Sequence, residues 1–135
     1  MIKTWSWILA VVFLAVGILG FIPAFAPNGM LLGLFEVDAL HNIIHLISGL
    51  AFVWAALAAE TTGRMVFKVF GIIYAIVAVV GLVQGDTVLG IIAANMADHI
   101  LHVVLAVVIL YIGFGKGGSH ASMPMETPPS NPPTV

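Results

Sequence analysis

The chain of 135 residues contains no cysteine and very little charge: four basic and six acidic residues, 7% of the total. Without cysteine there are no disulfides, thiolate metal sites or cysteine nucleophiles, although this says nothing about redox compartment. Four basic residues and a net charge of −2 leave no surface able to neutralise a row of phosphates, so no nucleic-acid partner is expected. Glycine-rich phosphate-binding loops are also missing. Ser48 and Thr61 lack the base and orienting group that a nucleophile needs, so the expectation is a protein that is not an enzyme.

What the chain has is hydrocarbon. Hydrophobic residues make up 61% of it and mean hydropathy is +1.18, against an apolar share of about 45–50% in soluble domains. A helix needs about 20 mostly apolar residues to cross the bilayer core. Four segments meet this, at about 4–22, 39–59, 65–83 and 96–114. The runs are continuously apolar and do not alternate, which excludes barrel strands. The predicted fold is therefore all-α, an integral membrane four-helix bundle.

The first segment resembles a secretory signal, with Lys3 before an apolar run and Ala24-Phe25-Ala26 after it. Pro27 would follow the cut and argues against cleavage, so a retained helix is expected. Lys3, Arg64, Lys68 and Lys116 fall on one side of the four spans, and Glu36, Asp38 and Asp86 fall in the two loops on the other. Basic residues mark the cytoplasmic side. The expected location is the inner (cytoplasmic) membrane, multi-pass, with both termini cytoplasmic. Trp5, Trp7, Trp54 and Tyr111 would lie at the cytoplasmic interface, where such rings concentrate, and Tyr74 deeper.

Residues 1–114 form the expected membrane domain, and 115–135 a cytoplasmic tail rich in Gly, Ser and Pro, a composition that supports no core of its own. Within the domain the sequence repeats. Superposing Leu32-Gly33-Leu34 on Leu89-Gly90-Ile91 brings His45 onto His102 and Asp38 onto Asn95. The two units, about 4–59 and 65–114, each hold two crossings, so they are tandem two-helix repeats with the same orientation, related by an axis along the membrane normal. Each unit has an apolar stretch too short to span, Met30–Phe35 and Thr87–Ile92, expected to lie at the interface and cap the outer end of the bundle. Small residues such as Gly17, Gly20, Gly49, Gly71 and Gly81 favour close helix packing.

Four of the five histidines lie in this apolar background, where an ionisable side chain is costly. His41 and His45 share a helix face at i,i+4, and His99 and His102 at i,i+3. His45 lies roughly 9–10 Å below its helix start at 1.5 Å per residue. Matched repeats place His45 and His102 at one depth in the outer half of the bundle.

Two readings follow. In one, His45 and His102 are hydrogen-bonded to Asn42, His99, Ser48 or carbonyls and fix helix register, each bond contributing about 0.6 kcal/mol. In the other, His41, His45, His99 and His102 ligate a transition metal, for which Zn, Cu or Fe suit imidazole, or His45 and His102 hold a haem b between helices. Asp38, Asn42, Asn95 and Asp98 would then orient the rings, although Asp38 and Asn95 also suit helix capping. The acidic groups stay near the outer ends, so no ion path crosses the membrane.

The elements Asp38-Ala-Leu-His-Asn42-Ile-Ile-His45 and Ala97-Asp98-His99-Ile-Leu-His102 resemble an uncharacterised family of small bacterial four-helix membrane proteins with paired Asn-x-x-His motifs, a domain of unknown function. The likeness runs from the first helix to about Phe114. It implies fold and membrane location and carries no activity. His99 stands where that family tends to have Asn. The functional expectation is an accessory or structural subunit, a homo-oligomer or part of a larger membrane complex in the lipid bilayer. The alternative is a metal- or haem-binding module.

Overall fold

The computed structural model describes residues 1–115. The expected tail, with Lys116 and His120, lies otherwise outside the described residues. Four helices cross in alternating directions: α1 Ile2–Leu19, α2 Ala39–Leu57, α3 Glu60–Gln84 and α4 Met96–Phe114. Each is long and apolar enough to span a bilayer. Helix α1 packs chiefly on α2 and α3 on α4, which is the expected pairing into two units.

Helix α3 begins a turn earlier than its apolar run suggests. Glu60 sits in its first turn, where a negative charge favours the helix N-terminus, and pairs with Arg64 at 3.1 Å. Gly63 is buried against the Ile2 side chain and the Ala55 carbonyl, so the segment that reads as a loop is packed as helix. Only Ala58 and Ala59 separate α2 from α3. Arg64 Nη1 donates to the Gly115 carbonyl at 2.6 Å, which brings both ends of the described chain to one face of the bundle. Trp5, Trp7, Trp54 and Tyr111 are exposed and Tyr74 is buried.

At the opposite end, the two short apolar stretches fold as β-hairpins. Strands β1 Met30–Leu31 and β2 Phe35–Glu36 pair antiparallel, as do β3 Thr87–Val88 and β4 Ile92–Ala93. Both turns carry two successive left-handed residues, Leu32 (φ 52°) with Gly33 (φ 69°) and Leu89 (φ 56°) with Gly90 (φ 71°). This is the type I′ pattern, whose twist matches the flanking strands. Short apolar runs do not reveal such strands, because backbone pairing rather than periodicity makes them.

The helix starts tie the hairpins together. Asp38 caps α2 by accepting from His41 N, and its other oxygen accepts from Ala93 N on β4 at 2.7 Å. Asn95 and Asp98 form a capping box on α4, and Asp98 Oδ2 also accepts from Glu36 N on β2 at 2.9 Å. Glu36 and Ala93 are matched positions of the repeat, so each half holds the other half's hairpin through the same backbone N–H. Each carboxylate satisfies amides that would otherwise be unpaired.

Aromatic rings fill the middle of the bundle. Phe13 stacks on Phe52 at 5.6 Å, and Phe52 meets Phe67 edge-on at 5.2 Å. Phe13 also contacts Tyr74 and His45, at 5.3 and 5.5 Å. Such tilted and offset pairs are favourable beyond their buried area. They form a floor beneath the histidines.

Candidate functional site

Position in the repeat decides where each histidine goes. His45 on α2 and His102 on α4 point into the bundle centre with ring centroids 6.5 Å apart, at the shared depth expected from the repeat. His41, one turn above His45, stacks on it at 4.8 Å and lies 5.9 Å from His102. One ring nitrogen from each of these three comes within 4.8 Å of the others. All three residues are buried.

His99 does not join them. Its ring turns toward α3, packs against Gly81 and bonds through Nε2 to the Gly85 carbonyl. Asn42, its counterpart in the first unit, likewise turns toward its own partner helix and packs against Gly20, the C-terminal cap of α1. Positions 42 and 99 thus serve contact within a unit, and positions 45 and 102 contact between units.

Of the four residues expected to orient the rings, three have other partners. Asp38, Asn95 and Asp98 bind backbone groups, and the buried Asn42 Oδ1 has no hydrogen bond. None of them bonds an imidazole. The capping expected of Asp38 and Asn95 is present, and the group that orients a ring is a carbonyl instead: His41 Nδ1 meets Ala93 O at 2.8 Å. With Nδ1–H donating there, Nε2 of His41 keeps the ring's lone pair. Only a folded strand supplies this partner, so side-chain spacing could not reveal it.

Partial burial raises the Asp38 pKa, but the backbone N–H groups of His41 and Ala93 and the nearby His41 ring outweigh this and hold it below its ordinary value of 3.8. Asp38 is therefore an anion that both stabilises the helix start and anchors β4.

The hydrogen-bonded glue expected at the centre is found elsewhere. Ser48 bonds Tyr74, Oγ to Oη, at 3.1 Å, while His45 Nδ1 and His102 Nδ1 are buried without a partner. A buried polar group left unpaired costs roughly 1–3 kcal/mol. His41 and His99 are each held by a carbonyl, although His99 Nδ1 is also buried without a partner, whereas neither ring of the central pair has a hydrogen bond among the described residues.

A porphyrin does not fit between His45 and His102. The three ring separations place His41 beside the midpoint of the line joining the other two, where the macrocycle would have to lie. A single ion needs no such slot. With N–metal distances of about 2.0–2.1 Å in tetrahedral geometry, two ligating nitrogens stand about 3.4 Å apart, so the 4.8 Å cluster has to contract by about 1.4 Å on binding.

Over the three rings lies a cavity of about 250 Å³. Tyr74, Ser48 and the histidines meet at its inner end, and its wall is otherwise apolar. Ile47 on α2 and Ile73 on α3 are exposed at its rim, so it opens sideways between these helices. Nothing in the histidine spacing announces this cavity. Tyr74 carried the one available signal, as the tyrosine placed away from the interfacial belt.

A family model described as "Domain of unknown function (DUF4383)" matches residues 3–115 of the chain. No curated protein and no solved structure matches it.

Proposed function

The chain belongs to the DUF4383 family, a domain of unknown function, and on that premise we propose that it is a small non-enzymatic membrane module that binds one transition-metal ion through His41, His45 and His102. The observation that carries this reading is the convergence of three buried imidazoles, two of them with unpartnered nitrogens, on one point. Polar glue would give each of these two rings at least one hydrogen bond, and neither has one among the described residues. The His41 Nδ1 bond to a carbonyl is the outer contact that ligating histidines commonly make. Three neutral nitrogen ligands suit Zn, Cu or Fe, and the hairpins close the site above.

The module lies in the inner membrane with its termini in the cytoplasm, since Lys3 and Arg64 sit at the end opposite the hairpins. A second reading, an accessory subunit that assembles with itself or a larger complex, draws support from a cavity of about 470 Å³ between α1 and α4, lined by Trp5, Val107 and Tyr111.

The test is titration of chelator-stripped protein in detergent with Co²⁺, followed by its visible absorption, then competition with Zn²⁺. One ion per chain, lost in His45→Ala and His102→Ala, is expected. Absence of binding, or binding that survives both substitutions, overturns the reading.

A further inference from the structure

We propose that the cavity between α2 and α3 takes the head of a neutral, bilayer-dissolved molecule bearing carbonyl oxygens on a flat ring, the chemistry of an alkylated quinone. The mouth comes first. Ile47 and Ile73 are exposed on membrane-spanning helices, so whatever enters between them arrives from the hydrocarbon layer. Phe70 and Val77 line the wall and no Asp, Glu, Lys or Arg does, which excludes a charged ligand, for which desolvation would go uncompensated.

Size comes next. Sites that enclose a drug-sized ligand run to about 300–1,000 Å³, and this one is about 250 Å³. It therefore holds a head group, with the apolar remainder left between lipid chains. The rings of Phe70, Tyr74, His45 and His102 line it, and aromatic side chains favour a flat partner in offset or edge contact.

The polar end selects the head. Ser48 and Tyr74 share one hydrogen bond, which leaves one of their two hydroxyl hydrogens free. Neutral His45 and His102 each carry one ring N–H, and neither ring has a hydrogen-bond partner among the described residues. Both residues are 5% exposed and both line the cavity. Buried donors are rarely left without acceptors. A ligand with carbonyl oxygens supplies them, and an alkane or lipid chain does not.

This inference stands apart from metal binding and is tested on stripped protein. Chelator-treated protein in phosphatidylcholine nanodiscs is titrated with decyl-substituted benzoquinone, and bound quinone is counted by its absorbance after removal of the excess. Decylbenzene serves as the oxygen-free control. Saturable binding near one per chain is expected, weakened roughly three- to tenfold in Tyr74→Phe, as loss of one hydrogen bond implies, and abolished in Ile73→Trp, which fills the mouth from a lipid-facing position. Equal retention of decylbenzene, non-saturable partitioning, or unchanged binding in Ile73→Trp overturns the proposal. Co²⁺ binding by Ile73→Trp remains intact whether or not quinone binds, so failure of this proposal is distinguishable from failure of the metal reading.

Discussion

The two halves of this molecule share a backbone and differ in what they hang on it. At the first matched position α2 carries His41 and α4 carries Asp98. His41 reaches over to the Ala93 carbonyl, and Asp98 reaches over to the Glu36 amide. Both clasp the opposite hairpin, but only the imidazole has a second nitrogen left over. At the next position Asn42 and His99 both turn outward onto a glycine-bearing helix, and at the third His45 and His102 both turn inward. Duplicated geometry sets direction, and side-chain identity then makes the site three-membered and lopsided.

The largest expected effect separates His102 from His99, although they are three residues apart on one helix. His102→Ala is expected to reduce metal affinity beyond the roughly 10–100-fold typical of losing an outer partner. His99→Ala is expected to leave the stoichiometry at one ion per chain. Metal analysis after dialysis reads both, and equal losses would erase the distinction between inward and outward positions.

Gly81→Ala and Gly20→Ala address the outward pair. A Cβ at Gly81 would collide with the His99 ring, and one at Gly20 with the Asn42 amide. Overpacking of this kind costs about 1–3 kcal/mol, and Gly81→Ala is expected at the upper end because its neighbour is a rigid ring. Thermal unfolding in detergent checks the order, and a neutral result at both would mean these helices separate easily.

The two clasps come next. Asp98→Ala removes two acceptor contacts from a side chain that is 3% exposed, for an expected loss of about 2 kcal/mol. Asp38→Ala is expected to lose about 1 kcal/mol, since Asp38 is only half-buried. Acid makes a separate test. The folded-state pKa of Asp38 lies below the ordinary 3.8, so its contribution is complete above that value and fades as pH falls through the folded pKa. The stability gap between wild type and Asp38→Ala should therefore narrow below about pH 4. A gap that widened in acid would refute the assignment.

How far the sequence reveals this arrangement follows from which contacts are local. Helix α4 is legible to the residue because Asn95 and Asp98 mark its start in the chain itself. The meeting of His45 and His102 is legible because matched repeats fix matched depths. The start of α3 is obscured by Thr61, Thr62 and Gly63, which read as a loop until the packing of Gly63 on Ile2 and Ala55 is known. The separation of His99 from the cluster is obscured for a related reason: an i,i+3 pair spans enough arc for one ring to face the centre and the other a neighbouring helix. The carbonyls that hold His41 and His99 belong to backbone far away in sequence, and no side-chain pattern encodes them.

The smallest effect tests the likeness of the halves most directly. Leu32 and Leu89 hold left-handed backbone at matched hairpin tips, φ 52° and 56°, a conformation that is strained for a leucine and better tolerated by asparagine. Both side chains are exposed, so no core contact is lost by replacement. Leu32→Asn and Leu89→Asn are each expected to stabilise the protein by up to about 1 kcal/mol. If the hairpins are equivalent, the two gains agree within the roughly 0.3–0.5 kcal/mol to which distant sites add, and the double variant gives their sum. Unequal gains, measured by unfolding in nanodiscs, would mean that one leucine tip has an apolar contact in the membrane interface that the other lacks. The two-fold likeness would then end at the backbone.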